Sequence, residues 1–198
     1  MTGIILAGGK SRRMGTDKAF LTVGGERLID GIIRLYKEIF QEVIISTNAP
    51  LDYLDQDCII VTDIIKGKGA LGGIYTGLFY ASHNHAFVAA CDMPFLNKTF
   101  IEYMITRCTD ADIVVPICPE GLQPLHAIYS RKCIPVIKRY IEKDQMKITG
   151  FYKGLRTAMI PENIWKPFDS EGKMFSNINT PTDLNMISQP FFPYGTRG

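Results

Sequence analysis

The chain has 198 residues, 46% hydrophobic and 21% charged, with a formal net charge of +2 at neutral pH. That length suits one domain, residues 1–198, with a substantial core, and so small a charge gives no reason to expect nucleic acid or an anionic membrane as partner. No apolar run approaches the roughly 20 residues that span a bilayer.

The N-terminus opens in a strand pattern, without a charged segment followed by a cleavable apolar one, so the cytoplasm is the expected location. Cys58, Cys91, Cys108, Cys118 and Cys133 are odd in number and form no C-x-x-C pair. They read as free structural thiols.

In chain order, the apolar run Ile4–Ala7 predicts a first strand. It empties into Gly8-Gly9-Lys10-Ser11-Arg12-Arg13-Met14-Gly15-Thr16-Asp17-Lys18, which is rich in glycine and base. Glycine lets backbone approach a ligand closely, and exposed N–H groups with nearby cations make an anion nest. The loop therefore reads as a polyphosphate cradle. It is neither a Walker loop nor a G-x-G-x-x-G fingerprint, because Thr16-Asp17 follows Gly15 and the first two glycines are adjacent.

A helix follows over Arg27–Phe40, with Ile29, Ile32, Ile33, Tyr36 and Phe40 on one stripe. The next strand, Val43–Thr47, runs into the polar cluster Ser46-Thr47-Asn48, which suits either a nucleotide contact or turn chemistry. Strand Ile59–Thr62 leads to Asp63 and then to Gly67-Lys68-Gly69-Ala70-Leu71-Gly72-Gly73. Leu71, Ile74, Tyr75, Leu78 and Phe79 mark the buried stripe of a second helix. Strand Phe87–Cys91 ends at Asp92, and a helix over Lys98–Cys108 has Asn97 placed to cap it. Strands are expected at Ile113–Pro116 and His126–Tyr129. Thr180-Pro181-Thr182-Asp183 reads as a helix start, and the tail from Gln189 as irregular.

Continuous apolar strands alternating with amphipathic helices predict a mostly parallel sheet covered on both faces. Ligands of such folds bind beyond the carboxyl ends of the strands, which is where the cradle, the Ser46–Asn48 cluster, Asp63 and Asp92 fall. A carboxylate at Asp63 can accept the N1–H and exocyclic amino donors of guanine, or a ribose hydroxyl. Asp92, closing an apolar strand, needs a cation or strong donors, and Mg2+ is commonly held by one or two carboxylates with substrate phosphates and water. His126 in strand-like surroundings suits a structural ring more often than a ligand.

Residues Leu6 to Lys18 resemble the L-x-G-G-x-S-x-R-M-G-x-D-K signature of the MobA-like nucleotidyltransferases, and especially their molybdenum cofactor guanylyltransferases. Gly67–Gly73 resembles that family's G-P-L-x-G loop, with Ala70 where proline is usual, and is expected to belong to the pocket. Cys91-Asp92-Met93-Pro94 resembles its C-D-x-P, and Asn177-Ile178-Asn179-Thr180-Pro181 its N-x-N-T-P. Gly121–Tyr129 resembles the acceptor-side segment, where the pterin sits. The resemblance implies a three-layer α/β/α Rossmann-like nucleotidyltransferase fold. It implies transfer of GMP from GTP to molybdenum-molybdopterin, with pyrophosphate released. It places the nucleotide against Leu6, Ala7, Gly8, Gly9, Lys18, Ser46 or Asn48, Asp63, Gly72, Asp92 and Asn179, assigns Mg2+ to Asp92, and gives Lys18, Asp92 and Arg13 the catalytic work. Other cofactor-biosynthesis proteins and molybdoenzyme chaperones are the implied protein partners. The alternatives are a molybdopterin cytidylyltransferase or another small nucleotidylyltransferase, and a non-catalytic nucleotide or cofactor carrier. The paired Lys18 and Asp92 argue against a carrier.

Overall fold

The computed structural model describes residues 1–8, 18–23 and 25–178, with the backbone alone at Lys18 and Val23. Its elements in chain order are β1 (Thr2–Leu6), β2 (Thr22–Val23), β3 (Glu26–Arg27), α1 (Leu28–Ile39), β4 (Glu42–Ser46), β5 (Ile59–Val61), α2 (Gly69–Tyr80) and β6 (His85–Ala90). There follow α3 (Lys98–Thr106), β7 (Ile113–Cys118), β8 (Gly121–Leu122), β9 (His126–Ser130), α4 (Cys133–Glu142), β10 (Thr157–Ile160) and α5 (Glu162–Trp165). The main sheet has the order β10-β7-β9-β6-β1-β4-β5, with β8 added on β7, and β2 pairs with β3 as a separate ribbon.

The strands carrying the predicted ligand end are parallel: β1 with β4 and β6, and β4 with β5. β7 and β10 are also parallel. β9 alone on the main path runs against both its neighbours, β6 and β7. The expected mostly parallel sheet is therefore present, with one reversed strand inside it.

Period-2 alternation along these strands supplies two cores. Ile5, Ile45, Phe87, Ala89 and Ile128 face the side covered by α1 and α3, through Ile29, Ile32, Tyr36, Phe100 and Met104. Ile4, Leu6, Ile44, Val88 and Ala127 face the opposite side, covered by α2 and α4 through Leu71, Ile74, Leu78, Ile137 and Ile141. Three layers result, as the strand–helix alternation predicts.

Two glycines set how closely the layers approach. A Cβ at Gly3 would lie 2.4 Å from ring carbons of Tyr36 and Phe40, so α1 packs directly on the β1 backbone. A Cβ at Gly77 would lie 2.7 Å from Ile4 Cγ2 on the other face.

Some expectations need correction. Phe79 does not belong to the buried stripe of α2. It is half exposed, stacked on Tyr75 and edge-on to Tyr80, on the outward side of a last turn whose Leu78 stays fully buried. The glycine segment before that stripe is not all loop, since α2 already begins at Gly69. The predicted helix start at Thr180 lies outside the described residues. Asn97 caps α3 as expected, its Oδ1 accepting from Phe100 N at 3.0 Å. All five cysteines are free. Burial pushes the thiols of Cys108 and Cys118 up to about 11 and that of Cys133 up to about 12, so these behave as small apolar side chains.

Candidate active site

The register of the parallel strands aligns four chain exits. Leu6 stands opposite Ser46 of β4 and Ala90 of β6, and Ser46 stands opposite Val61 of β5. Backbone bonds carry the alignment one residue further: Ala7 N to Ser46 O at 2.9 Å, Thr47 N to Val61 O at 2.9 Å and Cys91 N to Leu6 O at 3.0 Å. Gly8, Asn48, Asp63 and Asp92 each fall two residues beyond that common line. One sheet edge thus gathers residues that are 84 positions apart at their widest in the chain.

Against that edge lies a cavity of about 390 Å³, a size suited to a small ligand. Leu6, Gly8, Ser46, Asn48 and Asp63 form its strand side, while Gly67, Gly69, Ala70 and Gly73 form its helix side. Asn48 Nδ2 donates to Asp63 Oδ2 at 2.7 Å, which fixes the carboxylate plane of a residue only 8% exposed. Ser46 Oγ is buried and has no hydrogen-bond partner among the described residues. The Ser-Thr-Asn cluster divides its duties: Thr47 Oγ1 makes the turn by accepting from Ala49 N at 3.1 Å, and Ser46 and Asn48 line the cavity.

The start of α2 completes the wall. Gly67 and Gly69 hold φ of +77° and +56°, which side-chain-bearing residues rarely adopt, and this turns the chain directly into the helix. Its first turn carries no acidic residue, so the unpaired N–H groups leave a positive helix end beside the cavity. Thr76 Oγ1 accepts from Ile64 N at 3.0 Å and ties the helix to the Asp63 segment. Gly73 lines the cavity, and a Cβ there would come 3.0 Å from Leu6 Cδ2 and 3.5 Å from Ser46 Oγ. Gly72 sits just behind, where a Cβ would meet Lys68 Cβ at 3.1 Å and Asp63 Oδ2 at 3.9 Å. Ala7 packs into the core instead of facing the cavity.

The Asp92 side is built differently. Asp92 lies half-buried in the turn after β6, and it does not cap the next helix, because Asn97 does. Its carbonyl accepts from Ile178 N at 2.8 Å, which brings Asn177 of the N-x-N-T-P segment to the same turn. β9 is reversed, so its first residue, His126, pairs with Ala89 near the carboxyl end of β6. The preceding Gly121–Leu125 segment therefore enters from the ligand end of the sheet. His126 itself is fully buried among Phe87, Phe100 and Phe175. Burial pushes its pKa down to about 3, against a weaker opposing effect of the Met174 backbone, and neither ring nitrogen completes a hydrogen bond among the described residues. It is a core ring, in keeping with the structural reading.

Gly9, Arg13 and Asn179 lie outside the described residues, as does the side chain of Lys18. The Lys18 backbone opens a short 3-10 turn, Lys18–Phe20. The Ile178–Asp92 bond has no counterpart among the sequence-based expectations, although both residues lie in quoted motifs, whereas Gly73 belongs to the glycine segment expected in the pocket.

The MobA-like NTP transferase domain family matches residues 3–158. The chain belongs to that family. A molybdenum cofactor guanylyltransferase from Desulfosudis oleivorans is 41% identical over 93% of this chain and 92% of its own. A probable molybdenum cofactor guanylyltransferase from Pelotomaculum thermopropionicum is 39% identical over 92% and 89% respectively. The crystal structure of molybdopterin-guanine dinucleotide biosynthesis protein A from Archaeoglobus fulgidus superposes with a TM-score of 0.82 at 28% identity, covering 94% of this chain and 96% of that one. The described fold is accordingly the three-layer nucleotidyltransferase fold. No helix among the described residues is long and apolar enough to cross a membrane.

Proposed function

We propose that this protein transfers GMP from GTP to molybdenum-molybdopterin, releasing pyrophosphate and forming the guanine dinucleotide form of the cofactor. The observation that carries this reading is the convergence of Gly8, Asn48, Asp63 and Asp92 just beyond one aligned sheet edge. The names of the similar proteins supply the acceptor.

The chemistry asks little of the protein beyond placement. A terminal phosphate oxygen of the pterin attacks the α-phosphorus of GTP, and the bond from that phosphorus to the β-phosphate bridging oxygen breaks. A phosphate dianion is already a nucleophile, so positioning and charge neutralisation suffice. Asp63, held by Asn48, accepts donors from the guanine edge, while Ser46 Oγ offers a further polar contact in the same cavity. Gly8 and Gly9 bring backbone to the phosphates, and Lys18 and Arg13 neutralise the departing pyrophosphate. Asn179 serves the phosphate or metal side.

Mg2+ fits the Asp92 turn. Among the described residues no group of three or more His, Cys, Asp or Glu is placed to hold a metal ion, whereas a site with one carboxylate suits a cation that takes its other ligands from phosphates and water. Held by Asp92, the ion would supply Lewis-acid neutralisation of phosphate oxygens. The Gly121–Leu125 segment, at the same sheet end, would receive the pterin. The protein partners in this reading are cofactor-biosynthesis proteins and molybdoenzyme chaperones that hand over a labile product, in the cytoplasm.

Pyrophosphate release measured with GTP, CTP and ATP, each with and without molybdopterin, tests the assignment. Release with GTP that depends on molybdopterin is expected. Equal release from CTP, or none from any nucleotide, would overturn it.

A further inference from the structure

We propose that Phe175, seated among Phe100, His126 and Trp165, anchors a short strut that positions the Asp92 turn through the Ile178 backbone. This rests on the reading above for the role of Asp92, and its test reads the strut independently of turnover.

The residues concerned include a stretch, 165–178, that lies beyond the 3–158 covered by the family match. After α5 nothing in the sheet requires the chain to return to the ligand end. It returns nonetheless, with Met174 and Ile178 almost wholly buried. The ring of Phe175 stands edge-to-face to His126 at 5.1 Å and 76°, to Trp165 at 5.2 Å and 87°, and to Phe100 at 6.1 Å and 84°.

The walls of this cage are themselves fixed. Trp165 Nε1 donates to Ile117 O at 2.9 Å, and His126 grows from β9 opposite Ala89 of β6. The turn leading into Phe175 is closed by Asp169, whose Oδ2 accepts from Met174 N at 2.6 Å. Ile178 comes three residues after Phe175, a reach of about 10 Å when extended, and its N–H meets Asp92 O at 2.8 Å. Within the Asp92 turn itself, Met93 N reaches Ala90 O at a longer 3.3 Å. The strut therefore holds the turn from outside the sheet. Asp92 is the residue fixed, and Phe175, His126 and Ile178 are positioning residues.

His126 acts here as an aromatic plate. It is neutral at working pH, and its ring nitrogens make no hydrogen bond among the described residues, so proton transfer is not what the cage asks of it. His126→Phe should accordingly rescue what a smaller residue loses.

The experiment compares full-length wild-type, Phe175→Ala, His126→Ala and His126→Phe proteins by amide exchange and by Mn2+ binding in the presence of GTP, read by electron paramagnetic resonance. For Phe175→Ala, exchange across residues 91–96 should accelerate, and half-saturating Mn2+ should rise about tenfold, equivalent to ~1.4 kcal/mol and within reach of one lost hydrogen bond and its packing. Exchange across 44–50, on the base side, should stay as in wild type. His126→Ala should move in the same direction, and His126→Phe should return both readings to within about twofold of wild type.

Unchanged Mn2+ binding and exchange at 91–96 in Phe175→Ala would overturn the strut, as would a His126→Phe variant as impaired as His126→Ala. If Phe175→Ala does not fold, Ile178→Pro against Ile178→Val decides: only the first removes the N–H donor, so equal behaviour of the two overturns the inference. Loss of guanylyl transfer in the wild-type protein itself would count against the proposed reaction, while exchange at 91–96 would still read the strut.

Discussion

Asn48→Ala isolates the orienting bond behind base reading. In the structure Asn48 Nδ2 donates to Asp63 Oδ2 at 2.7 Å, and Asp63 is 8% exposed. A hydrogen bond to a charged group contributes about 1.5–3 kcal/mol net. Asn48 is itself exposed, so cavity water can replace part of its donation in the variant, and about 1–2 kcal/mol is the appropriate loss. If Asp63 reads guanine, that loss appears as roughly a 5- to 30-fold fall in kcat/KM for GTP. Inosine triphosphate lacks the exocyclic amino group and gives the carboxylate one donor fewer, so the preference for GTP over inosine triphosphate should shrink in the variant. The assay is pyrophosphate release with each nucleotide at saturating molybdopterin. A kcat/KM for GTP within twofold of wild type would refute the reasoning. Equal falls for both nucleotides would also refute it, by moving Asp63 away from the base.

Asp92→Ala should lower Mg2+-dependent transfer about 100-fold or more with an unchanged circular dichroism spectrum, and full activity would remove Asp92 from the metal side. Gly77→Ala sets two opposed effects against each other: alanine gains up to ~1 kcal/mol of helix propensity, but its methyl would meet fully buried Ile4 at 2.7 Å, an overpacking that costs about 1–3 kcal/mol. Overpacking wins, and Tm should fall by about 2–4 °C; a higher Tm would show that α2 can shift freely. Asp112 accepts from the side chain and backbone of Arg156, the largest causes that hold its pKa down to about 2 from an ordinary 3.8. The folded form thus binds the proton more weakly than the unfolded chain. The stability it contributes is complete above the ordinary value and is lost as pH falls from about 4 toward 2. Asp112→Asn should flatten the dependence of Tm on pH across that window, and an unaltered slope would place the acid sensitivity elsewhere.

The ligand end of the sheet was legible because β1, β4, β5 and β6 are apolar runs that stop abruptly at polar residues. Burial on both faces makes such runs continuous, and the rule that ligands sit beyond strand carboxyl ends then points to Asp63 and Asp92 without any knowledge of pairing. β10 gave no comparable signal. It is four residues long, at the sheet edge, with Met159 exposed. α4 buries Cys133, Ile137 and Ile141 on one face, but Pro135 interrupts its first turn, a place where proline is tolerated although it reads as a breaker. The reversal of β9 has no sequence signature, since direction is set by pairing and not by residue type. The Ile178–Asp92 bond was hidden for a related reason: it joins backbone atoms 86 residues apart, and no side-chain pattern encodes it.

The common register of β1, β4, β5 and β6 has a consequence for how this chain tolerates length changes. An added residue within any of these strands would slip its pairing, turn its core side chains to the other face and displace the residue two places beyond its end. At the opposite end of the sheet the connections carry no such duty. Thr109 and Asp110, exposed between α3 and β7, could accept a tag or an inserted loop at an entropy cost that grows only slowly with its length. The protein is thus asymmetric toward insertion: rigid in count at one rim of the sheet, permissive at the other.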